Sequence, residues 1–477
     1  MLENRAIRRY ERRITPIERL FTHSPYSTVS MVARIRGTVS ENMLWNALTK
    51  VRQRHPNLRV RIIEDEDGQP WFTSEGAGEI SVQVVPREAE DSWISVVQAS
   101  CQIPYDFEVR PAIRFILVQS PTTSDLVILC HHLLCDGLSL AYLARDLMVH
   151  LGDPAREVEL LPDPVPITID NMPQALSVNP IVRFLIRRLN RKWEAEKMIF
   201  DQQDYLELNH AYWTHFRHRM LPVELSKAQT LALVHRCREN EVTVNSALSA
   251  AFLGAQSAVQ GARRHQASIG IAASLRDRLQ HPAGEGMGFF AGVATLNYRY
   301  DGNRGFWDSA RRFHQKVRPL LTDKILFADP LLWCYLEPSI LEAINFKKLG
   351  GLVPEDSPRH EKLAAFAAQD DTVLAVLKRD KMESLDTITM GTAVTNLGRL
   401  DLPSQYGALE LERLIMKPGG AFPLVNVNLV LGAATCAGRL SLLVEYVEEN
   451  VESATMEKIR ESALGFLLGE QDLREGA

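Results

Sequence analysis

No uninterrupted apolar run in these 477 residues approaches the roughly 20 needed to cross a bilayer. The arginine-rich start, MLENRAIRRYERRITP, lacks the apolar core of roughly 7–15 residues that a secretory signal requires, so a cytoplasmic location is expected. Cysteine is scarce. The six, at 101, 130, 135, 237, 334 and 436, form no C-x-x-C pair and no zinc-like spacing, which leaves reduced structural thiols and no expected metal. Strong charge of one sign is also missing: a net charge of −5 argues against a nucleic-acid partner, which calls for a basic domain or stripe. What is present is an ordinary globular balance, 45% apolar and 24% charged residues. A chain this long exceeds one hydrophobic core, so two domains or lobes are expected.

Strand and helix periods alternate along both halves. Ser40 suits the cap of a helix running to Arg54, with Leu44, Ala47, Leu48 and Val51 on one face. LRVRI (58–62) reads as a strand with Arg59 and Arg61 on one side, followed by an Asp67-Gly68 turn. Strands are expected at Ile113–Val118 and Leu126–Cys130, the second apolar enough to be covered on both faces, and a helix from Leu138. Prolines 154, 162, 164, 166, 173 and 180 mark a connection. The boundaries expected are therefore 1–175 for a first lobe, 176–205 for a connecting segment and 206–477 for a second. In IVRFLIRRLNRKW, Ile181, Val182, Leu185, Ile186 and Leu189 share one side of a helix while Arg183, Arg187, Arg191 and Lys192 cluster elsewhere. That pattern fits a solvated basic face, or a surface for a membrane or an anionic substrate. The second half should hold helices over Ser226–Arg238 and TVNSALSAAFLGAQSA, and strands over Ala267–Ala273, Gly292–Tyr300 and Leu440–Val447.

The chemistry-bearing segment is VILCHHLLCDGLSLAYL, which sets His131, His132, Asp136 and Gly137 between an apolar strand and a helix. A strand end fixes side-chain direction and a glycine permits a tight turn, so an imidazole here can be held rigidly. Neutral imidazole titrates near physiological pH and can accept a proton as bonds form, worth about 10²–10⁴ in rate. By residue type alone, a core cluster or an incomplete metal site remains open.

The heptapeptide HHLLCDG resembles the H-H-x-x-x-D-G motif of thioester-dependent acyltransferases: peptide-synthetase condensation domains, plant alcohol acyltransferases and mycobacterial polyketide-associated acyltransferases. RHPNLRVRI resembles the R-H-x-x-L-R motif of condensation domains, and YDFEVRPAIRFILV the strand entry that precedes the histidines. GMGFFAGVATLNYR looks like the glycine-aromatic strand that crosses between lobes, and VTNLGRLD like the N-L-G segment of free-standing members. The resemblance runs from roughly Ile14 to Leu468. It implies an α/β fold of two chloramphenicol-acetyltransferase-like lobes in a V around a central tunnel.

It also implies roles for residues. His132 is the general base and His131 a packing or hydrogen-bonding neighbour. Asp136 orients the loop by pairing with an arginine, for which Arg59 is the matching position, and Gly137 is architectural. Thr395 and Asn396 are candidates to contact the oxyanion or substrate, or else simply a polar turn before Gly398. Arg276 is a candidate guide for an anionic donor or carrier, or else a surface residue. The implied donor is acyl-CoA or a phosphopantetheine thioester on a carrier protein acting in trans, with no permanently bound cofactor; the acceptor is a hydroxylated or amine small molecule or lipid. The D-F-G-W-G sequence of plant enzymes is absent, with KPGGAFP in the comparable region, and so is R-D-x-S-R of condensation domains. These departures favour a free-standing ester-forming enzyme. A stand-alone amide-forming condensation enzyme and a catalytically silent carrier-binding module are the alternatives.

Overall fold

The structure is a computed structural model that describes residues 9–66, 69–261, 266–369, 390–419 and 429–474. The Asp67-Gly68 turn and residues 420–423 of KPGGAFP lie outside them. A small sheet of β1 (Glu11–Arg13), β4 (Pro70–Thr73) and β3 (Arg61–Glu64) sits beside two six-stranded sheets. Pro56 opens a 3-10 turn over Pro56–Arg59, so the strand expected at 58–62 begins only at Arg61.

The first large sheet is centred on β2 (Thr28–Arg36) and β7 (Thr123–His131), paired antiparallel with Thr28 opposite His131. Alternate residues explain why both strands are apolar throughout. Val32 and Val127 pack with Trp93 and Val97 of the helix Ser92–Gln102, whereas Met31, Ala33 and Ile128 pack with Leu44 and Leu140 of the helices Glu41–Arg54 and Gly137–Gly152. Ser40 caps the first of those two helices, accepting from the Met43 N–H, as its spacing predicts. Beyond β7 lie β6 (Ile113–Gln119) and the parallel edge strand β5 (Ser81–Pro86).

The second sheet runs β10 (Ala291–Arg299), β9 (Gln266–Ser274), β11 (Met390–Arg399), β14 (Leu429–Cys436), β15 (Arg439–Val447) and β8 (His218–Glu224). The helices Val244–Gln260, Phe306–Val317 and Ser453–Arg474 share one apolar cluster with its strands. The late chain also leaves this sheet. Strands β12 (Gln405–Tyr406) and β13 (Leu409–Lys417) join the first sheet, where Lys417 registers with Ser30 of β2. A division at 175 and 206 omits this exchange, which fastens the two halves through shared backbone pairing. Gly432 of β14 allows the contact, because a Cβ there would collide with the Met416 carbonyl of β13.

Within the proline-rich stretch only a 3-10 turn, Ile169–Asn171, forms. The helix that follows, Pro180–Glu196, does not bury all five of its expected apolar residues. Ile186 and Trp193 are buried, while Ile181 and Leu185 face solvent.

Candidate active site

The site begins where β7 ends. The His132 N–H donates to the Ser27 carbonyl at 2.8 Å, and Asp136 caps the next helix by accepting from the Ser139 N–H at 2.7 Å. The intervening residues are thereby held in a tight loop. Gly137 is needed for close approach: a Cβ would lie 2.6 Å from Met416 Sδ and 2.9 Å from Leu397 Cδ2. Strands β13 and β11 therefore press directly on the loop.

The two histidines have different surroundings. His131 is fully buried; its Nε2 donates to the Ser24 carbonyl at 3.1 Å, and Tyr105 and Phe107 meet its ring edge-on. Burial pushes its pKa down to about 3, so it is a neutral packing element. His132 retains some exposure. Its Nδ1 lies 3.1 Å from the Cys135 carbonyl. A carbonyl only accepts, so Nδ1 carries the proton and Nε2 keeps the basic lone pair. Phe21 from the start of the chain and Phe289 from the second half pack on the ring at centroid distances of 5.0 and 5.4 Å. Burial holds the His132 pKa below the ordinary imidazole value, with Lys417 adding in the same direction. The carbonyls of Cys135 and Pro418 and the Asp136 carboxylate oppose that shift, and so favour the imidazolium a general base becomes.

Asp136 pairs with an arginine, but that arginine is Arg276. Arg276 Nη2 is 2.7 Å from Asp136 Oδ1, and the other carboxylate oxygen accepts from the Phe290 N–H at 3.2 Å. Arg276 Nη1 is spent on the Gly284 and Gly286 carbonyls. Two expectations are thus corrected together. Arg59 falls in the 3-10 turn, with the charges of Arg52 and Asp163 acting on it, and Asp136 is not among them. Arg276, only 2% exposed and with both terminal nitrogens on protein oxygens, is too buried to guide a donor or carrier. Its role is to hold the histidine loop against the second half.

Thr395 and Asn396 lie on β11 beside Leu397, which touches Gly137. Asn396 Oδ1 accepts from the Gly398 N–H at 2.8 Å, leaving its amide N–H groups as donors. Among the described residues neither makes a polar contact with His132. Cys135 is buried, and burial pushes its thiol well above the usual range, as suits a bystander. Lys417 was missed by the sequence reading. It is buried at the end of β13, 2.8 Å from Glu445 of β15, and its neighbour Pro418 faces His132. Only its place in KPGGAFP marked it, and a lone lysine there carries no periodic signal.

Two sizeable cavities lie away from the imidazole. One, about 340 Å³, is lined by Arg19, His23, Glu64 and Glu342 and shares Phe107 with the packing of His131. The other, about 920 Å³, lies against the helix Pro180–Glu196. No group of three or more metal-ligating side chains occurs among the described residues.

Both halves of the chain match known families. Residues 10–157 match the condensation domain, and residues 214–331 match the C-terminus of phthiocerol/phthiodiolone dimycocerosyl transferase. The first of these stretches is thus similar to condensation domains and the second to an acyltransferase C-terminus. The chain is 27% identical over 144 residues to a linear gramicidin synthase of Brevibacillus parabrevis, covering 29% of this chain and 3% of that protein. With a nonribosomal peptide synthetase of Curvularia clavata it shares 23% over 315 residues, 61% of this chain and 2% of the other. The chain thus spans only a small part of the length of each of those synthetases. Among solved structures, polyketide synthase associated protein 5 of Mycobacterium tuberculosis superposes with a TM-score of 0.56 at 17% identity, covering 96% of this chain and 98% of that one. Trichothecene 15-O-acetyltransferase of Fusarium sporotrichioides gives 0.62 at 13%, covering 97% and 96%. At such identities these likenesses establish the fold.

Proposed function

We propose that the chain is a free-standing acyltransferase in which His132 is the general base. The observation that carries this reading is the ring's orientation: Nδ1 is committed to the Cys135 carbonyl, which leaves Nε2 as the lone pair able to take a proton. An acceptor hydroxyl gives its proton to Nε2 as its oxygen bonds to a thioester carbonyl carbon. The tetrahedral oxyanion then collapses, the C–S bond breaks, and the departing sulfur takes the proton back from the imidazolium. The donor is acyl-CoA or an acyl group on the phosphopantetheine arm of a separate carrier protein, and the acceptor is a hydroxylated lipid, polyketide or other secondary metabolite. The two substrates reach His132 from opposite sides of the junction between the halves. Asn396 is the proposed oxyanion donor through its side-chain N–H. The reading requires neither a resident cofactor nor a metal.

The condensation-domain match over residues 10–157 favours a second reading, amide formation on an amine acceptor. Purified protein offered acyl-CoA and acyl-carrier thioesters, each with matched alcohol and amine acceptors, distinguishes the two by thiol release and product mass. Ester product unaffected by a strong chelator is expected. Amide product selects the second reading. Carrier binding without thiol release would leave a silent recruitment module, and activity lost on chelation and restored by zinc would overturn the mechanism.

A further inference from the structure

The helix Pro180–Glu196 has two unlike sides. Toward the protein it presents Val182, Ile186, Leu189 and Trp193, with Ile186 and Trp193 at 4% and 2% exposure. At about 100° per residue, Phe184 points almost directly away from that stripe. It is 53% exposed, and Ile181 and Leu185, on the flank between it and the buried stripe, are 70% and 43% exposed. Arg187, Arg188, Arg191 and Lys192 are interleaved with them, all exposed and none in an ion pair with another described residue. Arg183 differs, since its guanidinium lies over the Tyr335 ring. A chain of net charge −5 therefore concentrates four exposed cations around three solvent-facing apolar side chains on one helix. A merely solvated face needs the cations but not the apolar residues.

A second observation lies behind the same helix. Val182, Ile186 and Leu189 form one wall of the cavity of about 920 Å³, and Phe327, Leu331 and Trp333 form another. That volume is within the range of small-molecule sites, about 300–1,000 Å³. Its lining is chiefly apolar. Phe327 and Leu331 also belong to the cluster that contains Phe290 and has Phe289, the ring against His132, packed on it.

We propose that the outward face of the helix Pro180–Glu196 lays the protein on an anionic lipid surface, with the cavity on the helix's protein-facing side. Phe184, Ile181 and Leu185 enter the headgroup boundary, and the four cations meet lipid phosphates. The interleaving of cations with large apolar side chains selects a bilayer over an acidic protein partner, because a bilayer accepts both at one depth. The inference does not depend on acyl transfer, since binding is measured without turnover.

Flotation of the full chain with phosphatidylcholine vesicles, and with vesicles of equimolar phosphatidylcholine and phosphatidylglycerol, tests it. The wild type should float with the mixed vesicles, not with the neutral ones, and binding should weaken as salt rises. Each cation neutralised should lower partitioning about fivefold, so R187E/R188E/R191E should lower it at least about a hundredfold. I181A/F184A should lower it at least about tenfold on the mixed vesicles, through lost apolar burial. These side chains face solvent, so melting temperatures should match the wild type and separate lost binding from lost folding. The proposal is overturned if the wild type floats with neither vesicle, if it floats equally with both, or if the triple variant floats like the wild type. Failure to float combined with arginine-dependent binding to a purified acyl carrier protein would also overturn it, and would assign the face to that protein.

Discussion

Around His55 and around His132 the chain assembles the same residue types, histidine, aspartate and arginine, in opposite arrangements. His55 Nε2 sits 2.8 Å from Asp146 Oδ2, and Arg54 Nε is 2.7 Å from the same oxygen. Arg145 occupies the other oxygen, and Arg54 and Arg145 both reach Glu285 from the second half. Every charge there is spent on another charge, and His55 is wholly buried. At His132 the carboxylate is turned away from the imidazole, toward Arg276 and a helix N-terminus, and the ring rests on a neutral carbonyl. The first arrangement fastens two halves of a protein. The second fastens the loop and leaves His132 Nε2 with its lone pair. Residue composition does not separate them; the atoms that are bonded do.

The sharpest break between the clusters is His132→Ala against His55→Ala. Removing the base should lower kcat by about two to four orders of magnitude while melting stays near wild type. His55→Ala should lower the melting temperature without that rate loss. His131→Ala, which empties a packed aromatic site, should destabilise and slow the reaction less than His132→Ala. Near-wild-type turnover by both His131→Ala and His132→Ala, with chemistry rate-limiting, would sink the assignment. Next in size is Asp136→Ala, which leaves Arg276 buried without its carboxylate and should cost about 3–5 kcal/mol in chemical denaturation. A double-mutant cycle identifies the partner: Asp136→Ala should couple strongly to Arg276→Ala and add independently to Arg59→Ala. Coupling to Arg59 would reverse that correction. An Asp136→Ala protein that melted like wild type and only shifted its pH–rate profile would make the aspartate catalytic.

Much of this was legible in the sequence, for identifiable reasons. The strand Leu126–Cys130 and the helix from Leu138 stand out because apolar period and cap chemistry act locally, and the loop between them inherits its geometry from both ends. The identity of the arginine on Asp136 depends on where residue 276 returns in space, which no local period encodes. The same is true of β13 crossing into the first sheet and bringing Lys417 and Pro418 to His132. Exposure along Pro180–Glu196 also escaped, because its five apolar residues span too wide an arc for one neighbour to cover.

The Asp146 cluster gives a pH test. Burial alone would raise the Asp146 carboxyl, but His55, Arg145 and Arg54 outweigh it and hold the group down to about 2, against an ordinary 3.8. A depressed carboxylate stabilises fully above its unfolded value, and that contribution disappears as pH falls through the folded one. The wild type should therefore lose about 2 kcal/mol of stability between about pH 4 and pH 2 that Asp146→Asn does not lose. Equal acid dependence in the two proteins, followed by urea denaturation at each pH, would show that the His55 cluster is not charge-paired as described.

The smallest expected effect is on the His132 side and concerns direction. Burial lowers the pKa of His132, and the Asp136 carboxylate is one of the groups that partly restores it. Asp136→Asn keeps an oxygen for the Ser139 N–H that caps the helix, so the loop should survive better than in the alanine variant. It removes the negative charge, however, and leaves Arg276 positive beside the loop. Both changes disfavour the imidazolium, so the His132 pKa should fall further. A base is active when neutral, hence the acid limb of kcat/KM should move to lower pH in Asp136→Asn, with little change on the alkaline side. The measurement is a pH–rate profile of thiol release for the two proteins under identical salt. A limb displaced upward would mean that the loop had opened His132 to water, making Asp136 more a clamp than a charge. A limb that stayed in place would assign the titrating group to some residue other than His132.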